Sequence, residues 1–178
     1  MTDKLTPSKW AFKITHILNA VLGENHFPIN VADVAKEISS QLYPQDPIVL
    51  IQGDSLPGFE GGLFRGEKGW GILYNKDIRS TGRINYTQAH EFGHYLLHRE
   101  QFPEGLSCNE QDFIRWESDY RQIEFQANQF AANLLMPLDD YRRQIAPALK
   151  VDLDMIGGMA DRYEVSLMAA LLRWINYT

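Results

Sequence analysis

The run His90-Glu91-Phe92-Gly93-His94 constrains this 178-residue chain more than any other feature. On an α-helix, positions four apart lie about 40° apart around the axis and about 6 Å along it, so His90 and His94 can aim two imidazole nitrogens at one metal ion. The neighbouring residues Tyr86, Ala89 and Leu97 recur at helical spacing with the pair, which predicts the required helix beyond Ser80. Zinc suits the pair. Glu91 then lies beside the metal, where its carboxylate can take a proton from water that the metal has acidified towards a pKa of roughly 7, making a nucleophile for amide hydrolysis. With 5 His and 11 Glu in 178 residues, chance supplies roughly 0.01 such runs, so histidines merely decorating a helix are the weaker reading.

A catalytic zinc site needs a third protein ligand and an open fourth position. His98 lies two turns from His90, about 12 Å along the axis, too far to join both other histidines on an unbroken helix; it reads as a surface or supporting histidine. Glu110, Asp112, Glu117 and Asp119 fall in a polar, irregular stretch that begins at Arg99. Glu124 is better placed. It sits on an apolar helix expected over residues 120–136 and stopped by Pro137, sharing a face with Ala127, Asn128 and Ala131. Small residues on that face let two helix axes approach, so Glu124 can reach a metal held by the neighbouring helix. Asn128 can accept a hydrogen bond from the free N–H of a ligand histidine, or be an ordinary surface amide.

Around this pair of helices the chain reads as α+β. Residues 8–22 form a first helix, with Ser8 as cap and Gly23 as stop, and Asn30 caps a second. Residues 48–51 suggest a short strand, and the glycine-rich stretch 58–75 a small twisted sheet with a hairpin turn at residues 66–69, packed on the histidine-bearing helix. The run Gly58-Phe59-Glu60-Gly61-Gly62 lacks the Lys-Ser/Thr of a phosphate loop and reads as hairpin geometry. Three short helices follow Pro137, over residues 138–145, 153–163 and 167–175. The division expected is a catalytic domain over residues 1–137 and a C-terminal helical subdomain over 138–178 packed on it.

The residues His90-Glu91-Phe92-Gly93-His94 and Glu124-x-x-Ala127-Asn128-x-Phe130-Ala131-x-x-Leu134-Leu135-Met136-Pro137 together resemble the ImmA/IrrE family of zinc metallopeptidases. The resemblance spans residues 30–137, with a weaker echo in Tyr163-Glu164-Val165-Ser166. It implies a zincin-like α+β fold, with His90, His94 and Glu124 as zinc ligands and Glu91 as the catalytic base. It also implies a protein partner, a helix-turn-helix repressor of a mobile element or stress operon that is cleaved or otherwise inactivated. The competing reading is a non-catalytic regulatory module, an anti-repressor or toxin–antitoxin component that retains the zinc site. One departure is Asn85, which stands where the family often has a basic residue ahead of an aromatic and Thr; Arg83 is the nearby substitute.

Charge excludes other classes. Seventeen Lys and Arg against 23 Asp and Glu give a net charge of −6, the wrong balance for direct nucleic-acid binding. The helix-turn-helix-like segment 153–175 fits that exclusion, since its second helix is almost wholly apolar and offers only Arg173 to base edges; packing on the core is the better reading. No membrane-length apolar stretch or leader is visible, and the single Cys108 permits no internal disulfide, so a cytoplasmic protein is expected. Cys108 reads as an inert, partly buried thiol rather than an inhibitory metal ligand. Lastly, residues 69–74, the strand nearest the histidine helix, are expected to border the cleft and to pair with an extended stretch of substrate, the competing reading being a hairpin strand whose two edges are already paired.

Overall fold

Capping decides where the first helices begin. In the computed structural model, which describes residues 5–109, 118–146 and 149–176, helix α1 (Pro7–Leu22) opens with Thr6 accepting from the Lys9 amide and Pro7 in the first turn. Ser8, the expected cap, lies inside the helix: a proline suits the first helical position, so the cap falls one residue before it. Helix α2 (Val31–Leu42) is capped by Asn30, which accepts from the Asp33 amide.

The chain then builds β1 (Ile48–Asp54), β2 (Phe59–Gly66) and β3 (Gly69–Asn75) before helix α3 (Thr81–His98). The expected hairpin turn joins β2 to β3, and Gly69 holds φ 144° where a side chain would meet the Pro47 carbonyl. A further strand, β4 (Gly105–Asn109), lies in the stretch expected to be irregular. It is five residues long, and its pairing with β2, Leu106 opposite Leu63, comes from across the molecule. The sheet order is β1-β3-β2-β4, with β1 parallel to β3 and the other pairs antiparallel. β3 is therefore bonded on both sides, which corrects the expectation that residues 69–74 offer an edge to substrate.

Helix α4 (Ser118–Leu135) is followed by α5 (Leu138–Gln144), α6 (Leu153–Tyr163) and α7 (Leu167–Ile175). The architecture is α+β, mainly helical, with the small sheet packed on α3. Leu63, Trp70 and Ile72 of the sheet share one buried cluster with Phe92 and Tyr95 of α3, Phe130 and Leu134 of α4, and Tyr141, Ile156 and Tyr163 beyond them. Core packing of α7 is partial. Ala170 is buried, whereas Leu167, Met168, Leu172 and Ile175 are exposed.

Candidate metal centre

Two helices meet closely because small residues line their contact. A Cβ on Gly93 of α3 would lie 3.0 Å from Phe130 Cδ1 and 3.3 Å from the Ala127 Cα of α4, and Ala127 and Ala131 are fully buried. This closeness lets a glutamate on one helix reach histidines on the other.

His90 Nε2 and His94 Nε2 face each other at 2.9 Å. Glu124 spans both, with Oε2 3.2 Å from His90 Nε2 and Oε1 3.2 Å from His94 Nε2. In a tetrahedron with metal–ligand bonds of about 2.0–2.1 Å, adjacent donors stand about 3.3–3.4 Å apart, close to the spacings seen. Among the described residues, His90, His94 and Glu124 are the group whose donor atoms could hold a metal ion. Glu110, Asp112 and Glu117, and the side chains of Cys108 and Asp119, lie outside the described residues.

The electrostatics of the group are coupled. Burial lowers His94 to about 4, against the opposing pull of Glu124. Burial also opposes the His90 imidazolium, but the hydrogen bond to Glu124 and the charges of Glu91 and Glu124 prevail and raise it. Glu124 resists its own desolvation through the two histidines and is held well below the ordinary carboxylate range. Its side chain keeps 24% exposure while that of His94 keeps none, so the group opens to solvent on the Glu124 side.

Glu91, 1% exposed, sits on α3 next to His90 and lies beneath β2. A Cβ on Gly61 would fall 2.3 Å from Thr87 Cγ2 and 3.4 Å from Glu91 Oε1, so a bare backbone at residue 61 is what lets the sheet close over this carboxylate. The glycine run around Gly61 was the available signal, but it reads equally well as turn chemistry.

Both helices supply further hydrogen bonds to the histidines. Asn128 Oδ1 is 2.9 Å from His90 Nδ1 and also accepts from the Tyr86 hydroxyl at 2.6 Å. The Tyr86 phenol is pushed up to about 12 by burial and by the charge of Glu124. His98 is 2% exposed, hence no surface residue; its Nδ1 lies 3.1 Å from His94 Nδ1 and its Nε2 2.8 Å from Gln126 Oε1. Asn85 and Arg83 point elsewhere: Asn85 donates to Glu164 at 3.0 Å, and Arg83 pairs with Glu60.

The IrrE N-terminal-like domain model of the M78 peptidases matches residues 45–174, well over half of the chain. The chain belongs to this family. The match takes in α3, α4 and the three helices beyond Pro137, and it makes the α+β fold a zincin-like, metallopeptidase-type domain. Among solved structures, a transcriptional regulator of Mycobacterium tuberculosis superposes with a TM-score of 0.53 at 14% identity, over 95% of this chain and 51% of that one. At that identity the likeness concerns the fold alone, and the chain spans about half of the regulator's length. None of the curated proteins compared with the chain matches it. No helix among the described residues is long and apolar enough to cross a membrane.

Proposed function

We propose that the protein is a zinc-dependent endopeptidase that cuts a regulatory protein of the helix-turn-helix repressor type. The observation that carries this reading is the convergence of His90 Nε2, His94 Nε2 and a Glu124 carboxylate with tetrahedral spacing, beside the buried Glu91. In it, His90, His94 and Glu124 hold the metal. When bound, zinc supplies Lewis-acid chemistry, acidifying water and polarising a carbonyl. Glu91 takes the proton from the attacking water and passes it to the leaving amine, and its burial under Gly61 keeps competing solvent away. Asn128 accepts the His90 Nδ1–H and so leaves Nε2 free to bind.

The regulatory substrate is supported by family membership and by the shared fold of a transcriptional regulator. The substrate backbone is best received at the outer edge of β4, unpaired among the described residues, because β4 bonds directly to the strand that carries Gly61. A purified sample should carry about one zinc per chain. Incubation with a helix-turn-helix repressor encoded beside it, read by mass spectrometry, should yield two fragments. Glu91→Gln should keep zinc and lose cleavage by a factor of about 10³ or more. Unimpaired repressor inactivation by that variant would instead favour a sequestering module.

A further inference from the structure

We propose that Gln126 and His98 form a relay that fixes His94 in the tautomer whose Nε2 is free for a metal, a positioning role that rests on the metal-site reading above. A neutral imidazole carries one N–H, and metal binding through Nε2 requires that hydrogen on Nδ1. His94 has no exposure, so bulk solvent does not reach its Nδ1. Facing it at 3.1 Å is His98 Nδ1, which must be bare to accept. The hydrogen of His98 then sits on Nε2, 2.8 Å from Gln126 Oε1, a carbonyl oxygen that only accepts. Each step fixes the next, from the Gln126 carbonyl through the His98 ring to a lone pair on His94 Nε2.

The geometry explains why two residues are needed. Gln126 lies about 200° around α4 from Glu124, on the opposite flank of the strip that buries Ile123 and Ala127. An amide there cannot touch His94 directly. His98, one turn beyond His94 on α3 with its ring centroid 5.1 Å away, bridges the gap. On the other flank Asn128 meets His90 without an intermediary.

The test uses the full chain with ¹⁵N-labelled histidine. Long-range ¹H–¹⁵N spectra of the metal-free protein should show His94 as the Nδ1–H tautomer and His98 as Nε2–H. Zinc affinity, measured by competition with a chromophoric chelator, should fall about 10- to 100-fold in His98→Phe and about tenfold in Gln126→Leu. Gln126→Glu, still an acceptor, should bind zinc within a few-fold of the parent, and His98→Gln, whose carbonyl can accept the His94 N–H, should recover most of the loss. A His98 found as Nδ1–H overturns the relay, and so does parental zinc affinity in Gln126→Leu. If His98→Phe does not fold, the two Gln126 variants, at a half-buried position, decide the matter. If the parent binds no zinc, the metal reading fails, while the tautomers of the metal-free protein still uphold or overturn the relay.

Discussion

Glu124 and Asp140 are both carboxylates withdrawn from solvent and held below their ordinary range, yet the protein answers them differently. Asp140 is 1% exposed, and desolvation alone would raise it. Arg162 donates to it through Nε at 2.8 Å and Nη2 at 3.0 Å, the Tyr163 hydroxyl donates at 2.8 Å and Arg143 at 3.3 Å. Two permanent cations, a phenol and the Gln144 amide, which donates at 3.5 Å, surround that carboxylate, and the cluster ties α5 to α6. Glu124 faces two imidazoles, which are neutral in the state that binds a metal. A carboxylate met by guanidinium groups builds structure; one met by imidazoles builds a group that could hold a cation.

Zinc should separate the two most sharply. If Glu124 is a ligand, Glu124→Ala removes zinc-linked stabilisation, and its cost should grow with zinc to about 4 kcal/mol at a thousandfold excess over Kd. Asp140→Asn should cost about 3 kcal/mol whether or not zinc is present, because it leaves the arginines without their partner. Urea unfolding with and without zinc measures both; a zinc-dependent Asp140→Asn penalty would dissolve the distinction. Acid sharpens it. Asp140 is depressed in the folded state from its ordinary 3.8, so its contribution is complete above the unfolded value and is lost as pH falls through the folded one. The Asp140→Asn penalty should therefore be flat above about pH 5 and shrink below about pH 4.

The same contrast can be drawn within the site by adding one methyl group on either side of it. Gly61→Ala drives a Cβ against Thr87 beside Glu91, whereas Gly93→Ala drives one against Phe130 and Ala127 between α3 and α4. Both should cost about 2 kcal/mol as overpacking. Gly61→Ala should impair cleavage with zinc affinity kept, and Gly93→Ala should weaken zinc binding. Zinc loss in both variants would show that Glu91 and the group His90, His94 and Glu124 are not independently positioned.

Local signals carried most of the architecture. The helices and the hairpin follow from apolar spacing, Asn30, the residue 66–69 turn and Pro137, and the His90, His94 and Glu124 donors meet where their spacings on two small-faced helices direct them. What escaped sequence reasoning is tertiary. β4 exists because β2 lies opposite it, and its five residues lack a decisive alternation. β3 reads as a strand from its own residues, but its central place in the sheet depends on the parallel pairing with β1. Gly61 and Gln126 acquire meaning only from what crosses over them, Glu91 in one case and His98 in the other. On α7, apolar composition suggested core packing, yet only part of its surface finds the core.

The smallest expected effect lies at a bond joining the two regions. Glu164 ends α6 in the left-handed conformation, φ 51° and ψ 51°, and its carboxylate accepts from Asn85 of α3 at 3.0 Å. A non-glycine residue there costs about 1 kcal/mol, and the hydrogen bond returns about the same. Glu164→Gly removes both terms, so stability should change by less than about 0.5 kcal/mol. Asn85→Ala alone removes only the bond and should cost about 1 kcal/mol. In the Glu164→Gly background it should cost almost nothing, because its partner is already gone; the difference between the two backgrounds is the coupling energy. Zinc affinity should be unchanged throughout, since Asn85 points away from His90, His94 and Glu124 towards α6. An equal cost for Asn85→Ala in both backgrounds would mean that the bond does not hold α3 to the C-terminal helices.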